Sequence, residues 1–437
     1  MSDIIFSFDT EDFTSNYAAD AIRDLAIILE NEDIKGNFCM VGLVAKQLLS
    51  WKRYDVLEAL KKHEIGFHSL AHSIHPTINE YTDIEDYKIA YDEFIKQECE
   101  GIGMVKAVTG AEKLYTAVPP GNCKSYVAMY AYSDLGIPSY CDSILETTDG
   151  AGRYFCNAFH LEYFIALEEI FFNNYFNLKT LIEKLAKRDK TIIYTHPNII
   201  LYNEFWDKVN YYKENLYSFG NWKEPQRRHI EEVEKFYLKF KLFIKELKDD
   251  GRFNFKTIKD IVEAENKKPI RIITKDMLPE IRKELLINFE PVISPMSFSI
   301  SDIFCAVVSF FKGADSYIAE KSYGFLNEPF SVDNCYTLKA SSISEAAKKI
   351  DINNFLPSKI EIDGINIGPA DFLFAALDIL CEKSNVITVK PRSQQIDLSL
   401  YPALMNLQLK GTWMSSDTFD DNYLSSRLRL QAWTIRY

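Results

Sequence analysis

The chain has little of what most specialised protein classes need. Its longest late apolar run without a charge, Ile303 to Phe311, falls well short of the ~20 residues that a membrane-spanning helix requires. It has no excess of basic charge. Fifty Lys+Arg stand against 63 Asp+Glu, and a net charge of −13 argues against non-specific nucleic-acid binding, which depends on counterion displacement by a basic surface. Its eight cysteines (39, 99, 123, 141, 156, 305, 335 and 381) form no C-x-x-C pair, so they read as reduced small hydrophobes, neither a disulfide framework nor a zinc knuckle. No G-x-S-x-G, G-x-G-x-x-G or P-loop occurs, which leaves the serine-hydrolase and nucleotide-binding readings without a motif. The start, Met1-Ser2-Asp3 followed directly by Ile4-Ile5-Phe6-Ser7-Phe8, shows no positively charged leader, and the expected compartment is the cytoplasm.

What is present is an ordinary folding composition, 47% apolar over 437 residues, enough for two or three domains. Histidine is scarce and unevenly placed. All seven lie at or before His229, and four fall between His63 and His75. Charge divides the chain similarly. From Lys267 onward there are 19 Lys+Arg and 20 Asp+Glu, so residues 1–266 carry almost all of the net negative charge. The expected division is therefore a first domain over 1–266, bearing the imidazole chemistry, and an accessory module over 267–437.

Within 1–266, β-type runs alternate with helical patterns. Strands are expected at Ile4–Asp9, Asn37–Val41, a short segment ending near His68, Leu114–Val118, Ile137–Cys141, Ile192–Thr195 and Phe253–Phe255. Apolar residues at 230, 233, 237, 240, 244 and 247, stopped by Gly251, predict a long helix. Alternation at this spacing predicts an α/β fold with a parallel sheet, and seven strands suit a barrel better than an open sheet. In 267–437, Phe298–Asp302 and Ile367–Asp371 each open an apolar helix, with Ser301 and Gly368-Pro369 as helix-start residues. Lys359–Ile365, Val386–Lys390 and Arg427–Tyr437 read as strands, giving a smaller α+β module that could bind, oligomerise or shield the barrel mouth. Its two helix openings are distantly similar to those of wall-binding repeats.

Three clusters carry chemistry. Asp9, Glu11 and Asp12 stand at the end of the first strand, the end that opens onto the site face in a barrel, although the same residues also suit a solvated loop. His68 and His72, spaced i and i+4, predict one helix face able to chelate a metal ion, with His75 either joining them or lying on the rim. Two histidines and a carboxylate form a frequent catalytic zinc set. His196 follows the strand Ile192–Thr195, where a lone histidine is more often structural. Cys123 reads as a buried thiol, and the aromatic segment containing Tyr202, Trp206, Tyr211, Tyr212, Tyr217, Phe219 and Trp222 reads mainly as core, with stacking on sugar faces the alternative.

Taken in order, these clusters resemble the polysaccharide deacetylase (NodB-homology) family of carbohydrate esterases over residues ~1–265. Ser7-Phe8-Asp9-Thr10 is similar to the first family motif, and Lys35-Gly36-Asn37-Phe38 to its second strand. His63-Glu64-Ile65-Gly66-Phe67-His68-Ser69-Leu70-Ala71-His72 matches its H-E-I-G-x-H-[ST]-x-x-H segment, and Thr195-His196 its late histidine. Phe253-Asn254-Phe255 is similar to the usual end of the domain.

The resemblance implies a distorted (β/α) barrel of the polysaccharide deacetylase type. It also implies hydrolysis of the N-acetyl amide of an acetylated sugar or polysaccharide with a divalent metal, Zn2+ being favoured. Asp9 would then be the general base towards metal-activated water, His196 the general acid, and His68 and His72 metal ligands. The sequence departs from the family at three points. Thr10 replaces the second aspartate, so the third ligand falls to Glu11, which we favour, or Asp12. Val118, in Val118-Pro119-Pro120-Gly121, replaces the arginine that steers the base, with Arg153 a possible substitute. Tyr194 replaces a leucine of the acetyl-methyl pocket. These departures keep open a catalytically decayed barrel that binds carbohydrate, or an amidohydrolase for a small non-sugar amide.

Overall fold

The computed structural model describes residues 1–437 except 122, 148, 174–176 and 295. Two compact units emerge. The first comprises Met1–Gly152, Ala158–Lys267 and Leu407–Leu424; the second comprises Arg153–Asn157, Lys268–Asn406 and Ser425–Tyr437. The division is thus more than a single cut near residue 266, because one late segment returns to the first unit and one early segment joins the second.

The first unit is the expected distorted (β/α) barrel. Its ring consists of β1 (Ser2–Thr10), β2 (Asn37–Met40), β3 (Glu64–Phe67), β4 (Thr116–Ala117), β5 (Ser139–Asp142), β6 (Ala158–Ala166) and β7 (Lys190–Thr195). Every neighbouring pair is parallel, and β1 pairs with both β7 and β2, which closes the ring at seven strands. Side chains alternate between barrel interior and helix layer along β1. Phe6 and Phe8 pack outward on Phe240 of the helix Ile230–Asp250, whereas the intervening Ser7 turns its hydroxyl towards Tyr163 of β6.

The distortion sits at the N-terminal end of the ring. There β8 (Phe253–Phe255) pairs with Ser2–Ile4 of β1, while β2 pairs only with Ser7–Thr10. The Asn37 side chain spans the split, donating to the Phe6 carbonyl at 3.1 Å and accepting from the Ile258 amide at 3.0 Å. Phe253–Phe255 is therefore not a stave of the ring, as the strand count had it, and β6 supplies the seventh. The interior is close-fitting where β2, β3 and β4 meet. A Cβ added to Gly66 would lie 2.7 Å from Thr116 Cγ2 and 2.8 Å from Cys39 Sγ, so only glycine leaves room for both neighbours.

The segment Leu407–Leu424 straps onto the first unit near the turn that follows β3. Asp83 accepts the backbone amides of Asn422, Tyr423 and Leu424, and Glu80 accepts that of Ser416. Met414 is buried against Gly121 and the Ser73 hydroxyl. No described helix is long and apolar enough to cross a membrane.

The second unit is α+β. Its helices Ile300–Phe311 and Pro369–Glu382 each begin with an aspartate that accepts the amide three residues earlier, Asp302 from Ser299 at 2.9 Å and Asp371 from Gly368 at 3.1 Å. The cap of the first is therefore Ser299, two residues before the expected Ser301. Trp433 packs among Phe289, Phe304 and Phe325. The expected strand Arg427–Tyr437 is instead the helix Leu424–Leu430 followed by a 3-10 turn, Gln431–Thr434. Buried Leu424 and Leu428, four residues apart, set a helical period that outweighs the alternation further along.

Candidate active site

The residues singled out in the sequence meet at the C-terminal end of the ring. Asp9 is the penultimate residue of β1 and Glu11 follows that strand; His68 and His72 follow β3, and His196 follows β7. Glu11, His68 and His72 each offer an atom within 4.8 Å of the others, and all three are buried. Glu11 Oε2 lies 3.5 Å from His68 Nε2 and 3.0 Å from His72 Nε2.

The two histidines are not on a helix. The chain after β3 is irregular, and both Ser69 (φ 69°) and His72 (φ 52°) adopt left-handed backbone conformations. Those turns, not an i,i+4 helical face, bring the rings together, with centroids 4.9 Å apart. His75 lies outside the group, its Nδ1 within 2.9 Å of Glu80. Asp12 also faces elsewhere. It accepts from the Thr14 amide and hydroxyl and the Ser15 amide, and burial pushes its carboxyl up to about 7.

Each member of the trio is oriented from behind. His68 Nδ1–H donates to the Val118 carbonyl at 3.0 Å, which fixes the tautomer with its Nε2 lone pair towards Glu11. The backbone at Val118 thus serves the site although its side chain cannot replace an arginine. The Trp206 indole N–H donates to Glu11 Oε1 at 3.1 Å, leaving Oε2 for the histidines. Burial opposes ionisation of Glu11, but His72 and His68 hold its carboxyl well below the usual range. His72 Nε2 is buried and makes no hydrogen bond. An ionised carboxylate oxygen and two imidazole nitrogens converging on one point, one of them an orphan, make a donor set that fits a divalent cation with three protein ligands.

Asp9 and His196 face each other beside this trio, with 3.7 Å between Asp9 Oδ2 and His196 Nε2. His196 Nδ1 lies 2.5 Å from Glu168 Oε1, and Thr195 donates its hydroxyl to the other Glu168 oxygen. Burial would lower the imidazolium pKa, yet the Glu168 carboxylate raises it to about 10. Asp9 Oδ1 accepts from the Tyr163 hydroxyl at 2.9 Å, and Tyr163 in turn lies 2.8 Å from Ser7 Oγ. Arg153, weighed as a replacement for the missing arginine, belongs to the second unit, where its guanidinium lies over the Tyr437 ring. A neutral phenol therefore orients Asp9 without neutralising it, and burial keeps the Asp9 carboxyl above its ordinary pKa despite His68 and His196. Tyr194 stacks on Tyr163, ring centroids 4.6 Å apart. Tyr202, Trp206 and Tyr211 are buried, as the core reading of that segment has it, whereas Tyr212 and Phe219 are exposed. Burial pushes the Cys123 thiol up to about 12, far from a nucleophilic thiolate.

Tyr163→Phe removes one donor from the Asp9 carboxylate, so the Asp9 carboxyl should titrate at still higher pH; an unmoved titration denies Tyr163 this role. Glu168→Gln removes the charge that holds the proton on His196. The His196 imidazolium should then titrate closer to the ordinary imidazole range, as an NMR pH titration would read.

Tyr163, Glu168 and the Val118 carbonyl were not legible as site residues, and Trp206 was legible only as core or as a ring for stacking on sugar. The first two lie on or just after β6, which runs into the helix Leu167–Phe172 without a turn residue to mark its end. The signal that could have found them is the Ala158–Ala166 run itself, with aromatic residues at 159, 163 and 164.

No protein-family model matches this chain, and no curated protein matches it. Among solved structures it is similar to the CE4 domain of a multidomain xylanase from the hindgut metagenome of Trinervitermes trinervoides, at 14% identity and a TM-score of 0.34, covering 61% of this chain and 93% of that one. It is likewise similar to peptidoglycan deacetylase PdaC from Bacillus subtilis, at 14% identity and a TM-score of 0.32, covering 65% of this chain and 96% of that one. A third is a CE4 family pseudoenzyme from Bacillus anthracis, at 13% identity and a TM-score of 0.34, covering 59% of this chain. The chain spans only 64% to 66% of the length of that pseudoenzyme in its several forms. The chain is also similar to 4-alpha-glucanotransferase from Thermococcus litoralis, at 12% identity and a TM-score of 0.41, covering 62% of this chain and 41% of that one.

Proposed function

We propose that this protein is a divalent-metal-dependent hydrolase that removes the N-acetyl group from an acetylated sugar or polysaccharide. The observation that carries the reading is the pairing of a Glu11–His68–His72 donor set with an opposed carboxylate and imidazolium, Asp9 and His196, 3.7 Å apart.

Glu11, His68 and His72 would hold the cation, most suitably Zn2+ for a set of two imidazoles and one carboxylate. When bound, it supplies Lewis-acid polarisation of the amide carbonyl and a lowered pKa for water. The chain's own residues do the proton transfers. Asp9 Oδ2 takes the proton of the attacking water, its partner oxygen pinned by Tyr163. His196, kept cationic by Glu168, delivers a proton from Nε2 to the leaving nitrogen, without which an amine is a poor leaving group. The Tyr163–Tyr194 stack supplies an apolar wall beside the base, suited to a small acyl group.

One observation favours a second reading. With Val118 in place of an arginine, the cation facing Asp9 is the titratable His196, and burial still holds the Asp9 carboxyl above its ordinary range, which suits a barrel that binds saccharide without turning it over. Acetate release from N-acetylglucosamine oligomers, assayed beside small amides after addition of zinc or cobalt, separates the readings. Release from the oligomers supports the deacetylase. Release from small amides alone moves the substrate, and saccharide binding without any release supports the decayed barrel.

A further inference from the structure

His72 occupies an uncomfortable position. Its backbone φ of 52° lies in the left-handed region, its amide is tied to Ser69 Oγ at 2.9 Å, and its ring is buried. Such a conformation persists only when surrounding contacts enforce it. The contacts behind the ring are specific. His72 Nδ1 lies 2.5 Å from Ser73 Oγ, and Ser73 donates its hydroxyl to Asp207 Oδ2 at 2.7 Å. Asp207 is fully buried, and its second oxygen, Oδ1, has no hydrogen-bond partner. A carboxylate in that state is costly to bury, although it lies in the first turn of the helix Trp206–Asn210. The weaker acceptor near Ser73, Met414 Sδ at 3.4 Å, comes from the strap and helps to keep water from the chain of bonds.

Direction matters in this chain. Ser73 has a single hydroxyl proton and donates it to Asp207 Oδ2, which leaves Ser73 Oγ to accept from His72 Nδ1–H. With its proton on Nδ1, His72 presents a lone pair at Nε2, the atom that faces Glu11. We propose that Asp207, acting through Ser73, is the positioning residue for His72: it selects the imidazole tautomer that can ligate a cation and braces the left-handed turn that aims it. The proposal rests on the cation-site reading of Glu11, His68 and His72. The two histidines are then set by different means, His68 by the Val118 carbonyl and His72 by a two-step relay from a helix more than a hundred residues downstream.

The test uses the full chain loaded with cobalt(II), which gives hyperfine-shifted, solvent-exchangeable Nδ1–H proton resonances from ligating histidines. The wild type should show two. Asp207→Asn replaces a carboxylate by an amide that can also donate, so the direction of the Ser73 bond is no longer fixed, and Ser73→Ala removes only the hydroxyl. Both variants should lose or exchange-broaden the His72 resonance while keeping that of His68, and cobalt affinity measured by chelator competition should fall about 10- to 100-fold. A merely structural role for Asp207 would not discriminate between the two resonances. Affinity within about 2-fold of wild type, with both resonances intact, overturns the relay alone. A wild-type protein that takes up no cobalt overturns the cation-site reading and the relay with it. Should D207N fail to fold, S73A decides.

Discussion

Asp9→Asn is expected to reduce kcat/KM for amide hydrolysis by about 10^2- to 10^4-fold and to leave the metal content of the protein unchanged. The substitution keeps the shape of the side chain. Its carbonyl oxygen can still accept the Tyr163 hydroxyl, so the neighbourhood of β1 and β6 is preserved. What is lost is the capacity to take a proton. Because Asp9 is not among the three groups that converge on one point, cation binding should survive its neutralisation. Metal analysis beside steady-state kinetics separates the two consequences. Activity within 10-fold of wild type would remove Asp9 from the role of base, and loss of metal would move it into the ligand set.

The paired change His68→Ala/His72→Ala carries the opposite signature. Removing two of three ligands should take a stoichiometric cation to background, and hydrolysis should disappear with it. Both residues follow β3, and alanine keeps the His68 amide bond to the Met40 carbonyl at 3.0 Å, so the barrel itself should remain folded and its circular dichroism should match the wild type. Full metal retention in the double variant would sink the assignment outright. The single variants refine it. His72 has its ring braced by Ser73 and His68 by a backbone carbonyl, and loss of either ring leaves Glu11 with one imidazole and an ionised carboxylate in a buried setting.

The barrel was legible because its strands announce themselves as short apolar runs between helical periods, and the five residues Asp9, Glu11, His68, His72 and His196 could be picked out and do converge. The reason given for His68 and His72 was nevertheless wrong. Spacing of four was read as a helix face, whereas two left-handed residues fold the segment into a turn that no periodicity encodes. Residues that act from behind the site stayed hidden for a related reason. Ser73, Tyr163, Glu168 and Asp207 each act through hydrogen bonds that reach another element, and sequence pattern reports faces of elements, not pairs between them. The choice between Glu11 and Asp12 was open for the same reason. Asp12 is consumed by its own turn, a local bond that competes with any more distant use.

The strap gives the molecule a clock. Met414 reaches Ser73 across 341 positions of sequence. At about 5–20 residues per second, the ribosome delivers that methionine roughly 20–70 s after the turn it must cover. For that interval the nascent barrel has Asp83 and Glu80 without the amides that will later occupy them, and the loop bearing His72 is unbraced on one side. Closing so long a loop also carries an entropic cost that grows only logarithmically with length, so the delay is one of timing more than of stability. A barrel cut out at residue 267 would stay at that earlier stage of its own synthesis.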